Sequence, residues 1–305
     1  MIERSPIFDI VTYAVMILGL FVVIMPFWIT FVAGSQSLTE VSQVPIVLWP
    51  STHLFENLQE AWTRADLGPK MLNSFIVAVG VTVGKITLAA LSAFSIVFFN
   101  YRARMVCFWM IFITLMLPLE VRIVPTYSIA ANALLPFQFI LDNLGITWLI
   151  QSLSGIQLSL EWNLLNSYPG LILPLVATAT GTFLYRQFFM TIPDELVEAS
   201  KMDGAGPMRF FFDVLIPLSR TNMLALATIL FVSSWNQYLW PLLITTDRAN
   251  FGTVVMQLKA LIPDQNGLPD WNVTMAGALI IMLPPLLVVA FMQRWFVRGL
   301  ISRDK

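Results

Sequence analysis

Two sets of residues in this sequence have types and spacings suited to work beyond packing. The first is Glu198-Ala199-Ser200-Lys201-Met202-Asp203-Gly204, a polar heptad between apolar stretches, followed nine residues after its glycine by Val214-Leu215-Ile216-Pro217. Small side chains at Ala199, Ser200 and Gly204 let a backbone seat deeply against a partner. Glu195, Glu198 and Asp203 offer charge-assisted hydrogen bonds to basic or amide groups there. The second set is cationic: Lys85 and Arg122 lie inside apolar runs. A lysine at the centre of a bilayer costs about 2.5–3.5 kcal/mol, so such a group must face protein, water or substrate. Together they would give their surroundings a positive potential that suits an anion, with the arginine able to grip an oxyanion bidentately; an ion pair with a second subunit is the other use. Asn236, Gln237 and Tyr238 interrupt another apolar run and are expected to line or gate a cavity.

Catalytic chemistry is poorly supplied. One histidine, His53, and one cysteine, Cys107, leave no metal-ligand spacing, and no HExxH or GxSxG element is present. The sequence therefore offers no catalytic residue, no metal site and no resident cofactor. Gly80-Val81-Thr82-Val83-Gly84-Lys85 is a near miss to a phosphate-binding loop. It has three residues between its glycines, and Ile86 stands where a hydroxyl is needed; it reads as GxxxG helix packing.

The elements that position these groups follow from composition. Of 305 residues, 57% are hydrophobic and 11% charged, with a mean hydropathy of +0.77. A soluble domain cannot reach these values, so the chain reads as an all-α polytopic membrane protein. A net charge of -1 gives no basic face for nucleic acid. Six segments have the length a bilayer requires: residues 10–33, 71–99, 105–127, 170–189, 223–246 and 273–296. Six spans place both termini on one side. With the N-terminus inside, Arg4, Arg102, Arg104, Arg186, Lys201, Arg209, Arg220, Arg294, Arg298, Arg303 and Lys305 are cytoplasmic. Only Arg64, Lys70, Arg248 and Lys259 are then external, which fixes the orientation by the positive-inside rule. The heptad then faces the cytoplasm within loop 191–218.

That loop reads as helix, turn, helix. Thr191-Ile192-Pro193-Asp194 carries a helix-start signature, with Leu196, Ala199, Ser200 and Asp203 on one face. Gly204 stops the first helix, Gly206-Pro207 starts the second, and Pro217 ends it before span five. The external loop 128–169 carries two apolar pieces, 134–141 and 148–150, that fit an interfacial helix pair. Pro284-Pro285 in span six predicts a kink.

The heptad and its Val-Leu-Ile-Pro tail closely resemble the EAA motif of bacterial ABC importer permeases, with Ser200 in place of the second alanine. The stretches 186–199 and 234–242 are similar to the carbohydrate, maltose-type class, and 84–87, 109–118, 120–123 and 292–294 with 296–300 to its glycerol-3-phosphate branch. The resemblance implies a type I ABC importer transmembrane domain in the bacterial inner membrane. It further implies a second non-identical permease, a dimer of ATP-binding subunits that holds ATP and magnesium and receives this loop in a cleft, and a periplasmic substrate-binding protein. The expected cargo is sn-glycerol-3-phosphate, with another sugar, an oligosaccharide or a glycerophosphodiester as alternatives. A secondary transporter would call for inverted repeats and a deep carboxylate. A membrane enzyme would call for a clustered catalytic set.

Overall fold

A backbone inside hydrocarbon must satisfy its hydrogen bonds within its own segment. The computed structural model describes residues 6–301 apart from 46, 118, 178 and 263–268, and among these the regular elements are helical. In chain order they are α1 (Pro6–Ser35), α2 (Leu38–Val41), α3 (Leu54–Arg64), α4 (Leu67–Phe98), α5 (Arg104–Met116), α6 (Leu119–Ala131), α7 (Leu135–Asn143), α8 (Ile146–Ser154), α9 (Tyr168–Val176) and α10 (Ala179–Phe189). They continue with α11 (Asp194–Met202), α12 (Pro207–Phe210), a π-helical turn (Phe211–Leu215), α13 (Ile216–Trp235), α14 (Leu239–Ile244), α15 (Arg248–Phe251), α16 (Val254–Ala260) and α17 (Trp271–Ile301).

Four stretches are each long and apolar enough to cross a membrane: Ile7–Ser35, Leu67–Phe98, Pro207–Trp235 and Trp271–Gln293. Two bent pairs raise the number to as many as six: Val121–Ala131 with Leu135–Asn143, at 77°, and Tyr168–Val176 with Ala179–Phe189, at 47°. Three of the expected spans are therefore not single helices. The 105–127 run breaks at Leu117, whose φ of -85° and ψ of 113° are extended, because a residue preceding proline is pushed out of the helical region. The 170–189 run breaks at Ala177, with ψ 108°. The 223–246 run stops at Trp235 and resumes at Leu239. The described helix α17, by contrast, runs unbroken through Pro284-Pro285.

The chain divides into two compact units, residues 1–71 with 254–284 and residues 72–253 with 285–305. In the first, α1 and α17 approach so closely at Gly34 that a Cβ there would lie 3.1 Å from the Ala276 nitrogen. Buried Asn57 donates to the carbonyls of Gly34 and Gln36 at 2.9 and 2.8 Å and accepts from Asn272 at 2.9 Å, tying α1, α3 and α17 together. A capping box between Ser37 and Glu40 starts α2. The Ser37 backbone N–H, then its hydroxyl, hold the Glu40 carboxyl below its ordinary pKa.

The second unit has two cores. One joins Ala89, Ala93 and Phe94 of α4 with Tyr185 and Phe189 of α10, and with Phe210, Phe211, Leu215, Leu226 and Leu230. The other joins Val77 and Val81 of α4 with Ala130, Leu171, Trp240 and Ile244. Beyond α6 come the helices α7 and α8, separated by Gly145 at φ +71° and ended by Gly155 at φ +68°.

Candidate functional site

The polar heptad lies on α11 and the turn after it. Thr191 does not cap this helix: its hydroxyl donates back to the Phe188 carbonyl at 2.7 Å, and the N-cap is Pro193, with extended φ and ψ of -61° and 138°. Asp194 and Glu195 occupy the first turn, where the helix dipole favours negative charge. At the other end Gly204 takes φ +73°, which a glycine adopts without the Cβ penalty. The Gly204 N–H bonds to the Lys201 carbonyl and the Ala205 N–H to the Ser200 carbonyl, both at 3.0 Å. This pair of bonds is the Schellman closure.

The faces of α11 differ from the expected pattern. Ser200 is buried at 9% exposure and Val197 packs against the aromatic core, so these two residues, three apart, form the inward face. Leu196, Ala199, Glu195, Glu198 and Asp203 are exposed. Ser200 therefore belongs to the chain's own packing, because α11 needs one face to hold it to the bundle, while the other small and acidic residues point away.

Beneath the loop, a cleft of about 170 Å³ is lined by Phe94, Phe98, Phe99, Val197, Ser200, Lys201, Ala205, Pro207 and Phe210. Its lining rings Phe94 and Phe98 pack on neighbouring rings, with centroids 4.9 Å apart for Phe94–Phe211, 5.4 Å for Phe98–Phe210 and 5.9 Å for Phe98–Phe189. Such pairs add about 0.5–1.5 kcal/mol each beyond their buried area. The loop is thus fixed to α4 and α10 by rings.

Pro217 does not end the second helix. α12, the π turn and α13 form one rod over Pro207–Trp235, and the Ile216 N–H bonds to the Phe211 carbonyl, five residues back. Proline lacks an N–H and crowds the carbonyl four residues before it. A π turn directly ahead of Pro217 accommodates the mismatch without interrupting the helix. α12 is therefore continuous with a long apolar helix.

The pathway candidates fall in the second unit. Lys85 on α4 is half-buried and Arg122 on α6 is exposed, and the two cations lie within electrostatic reach of each other. Among the described residues, neither has a carboxylate within 4.0 Å; the Glu120 side chain is outside those described. Asn236, Gln237 and Tyr238 are not inside a helix as expected. They form the break between α13 and α14, with Asn236 exposed and the other two half-buried. The GxxxG reading holds: a Cβ on Gly80 would come 2.7 Å from Ile172 Cδ1, and one on Gly84 2.7 Å from Val176 Cγ2.

One bracket went unread in the sequence. Asn166, at φ +51°, accepts from the N–H groups of Thr246 and Asp247, each at 2.8 Å, and donates to the Thr246 hydroxyl at 2.8 Å. Tyr168 donates to Asn73 at 2.7 Å, and the Trp240 indole donates to the Gly170 carbonyl at 3.1 Å. The signal available was Asn166-Ser167-Tyr168-Pro169, a left-handed asparagine before an N-cap serine with proline in the first turn.

Residues 85–302 match the family described as binding-protein-dependent transport system inner membrane component. The chain belongs to that family. This inner membrane component is 47% identical, over the whole of both chains, to the sn-glycerol-3-phosphate transport system permease protein UgpE of Pectobacterium atrosepticum. It is 46% identical, also over the whole of both chains, to the protein of that name in Escherichia coli O1:K1. Its fold resembles a chain in the crystal structure of a bacterial ABC transporter involved in the import of the acidic polysaccharide alginate. That match has TM-score 0.70 and 20% identity, and covers 97% of this chain and 99% of that one. The inner membrane component accordingly has the type I ABC importer permease fold, and its role is transport within a multi-subunit system.

Proposed function

We propose that this permease forms half of the translocation pathway for sn-glycerol-3-phosphate in an ATP-driven importer, and that loop 191–218 is its joint to the ATPase. The observation that carries the coupling role is the split face of α11: Val197 and Ser200 anchor it inward, while Glu195, Glu198, Ala199 and Asp203 stand free. The second non-identical permease completes the pathway, a dimer of ATP-binding subunits supplies ATP and magnesium, and a periplasmic binding protein delivers the cargo. The chain itself lacks a phosphate-binding loop and takes no part in hydrolysis. Six spans with both termini cytoplasmic put the joint on the side where ATP is. Closure of the ATPase pair pushes α11 and α12, and the continuous Pro207–Trp235 rod tilts the span to open the cavity outward; hydrolysis resets it inward.

The cargo reading is supported by full-length likeness to permeases of that name and by the paired cations Lys85 and Arg122. A glycerophosphodiester carries the same phosphate chemistry and is the second reading. The joint is tested by placing a cysteine at Ala199 after replacing the only native one, Cys107. Cross-linking to the ATPase subunit, retained when ATP closes the dimer, is the expected outcome. No cross-link in an assembled complex would overturn the assignment.

A further inference from the structure

Arg186, in the last turn of α10, lies over the ring of Phe108 on α5, with Cζ 4.4 Å from the ring centroid. Its Nε is buried with no acceptor, and among the described residues no carboxylate comes within 4.0 Å of it. A guanidinium offers five donors in one plane. Stacking on Phe108 serves its face and leaves Nε without an acceptor. Arg104 stands one turn before Phe108 on the same side of α5 and is half-buried, adding a second cation. Immediately along α5, Met105, Val106 and Trp109 are 43%, 58% and 53% exposed, and the Trp109 ring packs edge-on to Phe108 at 5.7 Å.

Two half-buried cations beside an exposed apolar ridge match an amphiphile with an anionic head. We propose that the end of α10 and the start of α5 bind an anionic phospholipid: Arg186 and Arg104 hold its phosphate, and an acyl chain runs along Met105 and Trp109. The inference rests on this end of α5 lying at a membrane interface. A free phosphate would use the arginines and not the ridge. An acidic loop of a partner subunit would likewise leave the ridge bare. A lipid accounts for both at once.

The test is native mass spectrometry of the purified complex of this chain with its partner subunits, incubated with phosphatidylglycerol or phosphatidylcholine. The wild type should retain phosphatidylglycerol preferentially. Arg186→Gln and Arg104→Gln should each lower retention about tenfold, and Arg186→Lys should fall between because it keeps charge but loses the fork. Trp109→Gln, which leaves both arginines, should also lower retention; this variant and wild-type selectivity decide the matter if an arginine variant fails to assemble. Equal retention of the two lipids by the wild type would overturn the proposal, as would displacement of bound lipid by inorganic phosphate. Loss of the ATPase subunit from Arg186→Gln with lipid retention unchanged would assign the arginine to a protein partner instead.

Discussion

The Ser200 carbonyl accepts the Ala205 N–H at 3.0 Å, closing the chain around Gly204 so that Ser200 stays buried while Ala199, its neighbour, stays exposed. This closure sets which side chains of α11 face outward. It depends on Gly204 at φ +73°, where a Cβ would meet nothing within 4 Å, so substitution strains the backbone and not the packing.

Gly204→Val should therefore cost about 1–3 kcal/mol locally, with Gly204→Asn much milder because asparagine tolerates the left-handed region. Insertion should be normal, while binding-protein-stimulated ATPase activity and uptake fall together in Gly204→Val. Wild-type stimulation in that variant would contradict the role given to the loop.

The close approach of α4 and α9 at Gly84 predicts a rescue. Gly84→Val places methyl groups where Val176 already stands, and overpacking of this kind costs about 1–3 kcal/mol. Thermal unfolding of the purified complex should drop in temperature, and adding Val176→Ala should recover most of the loss. A double variant no better than the single one would place the contact elsewhere.

For the paired cations, Arg122→Ala should reduce uptake about tenfold or more, the loss of one charge-assisted hydrogen bond, with assembly intact. Arg122→Glu should be informative in the opposite sense. It creates an attraction to Lys85 in place of the present repulsion, so the complex should be at least as stable and still not transport. Normal uptake by either variant would remove Arg122 from the pathway.

Asn166→Ala removes the bonds from the N–H groups of Thr246 and Asp247. Each such bond contributes about 0.5–1.5 kcal/mol. Asn166→Asp keeps both acceptor bonds and loses only the donation to Thr246, so chemical denaturation should rank Asn above Asp above Ala. Equal stability of all three would show the bracket to be incidental.

The sequence disclosed most where physics acts locally. Apolar length located the helices, Gly204 and Gly206-Pro207 marked the turn after α11, and Gly80 with Gly84 marked a close helix crossing. It misled where a neighbour decides. Apolarity alone could not show that Leu117, ahead of a proline, divides one run, or that Asn236, Gln237 and Tyr238 form a break between helices and do not stud one. Pro217 looked like a stop because a π turn, which absorbs a proline inside a continuing rod, leaves no compositional trace. Ser200 fitted the outward motif by spacing, yet the aromatic cluster around Phe98 and Phe210 lies on its side of the helix. Asn166 acts on residues 80 and 81 positions away, a separation that no periodicity reveals.

Uptake of labelled sn-glycerol-3-phosphate into proteoliposomes that contain this chain with its partner permease, ATPase and binding protein, with maltose as the control, decides the cargo. ATP-dependent accumulation of the phosphate ester alone, lost in Arg122→Ala, is the predicted result. Accumulation of maltose, or of neither compound while the binding protein still stimulates ATP hydrolysis, would contradict the assigned cargo.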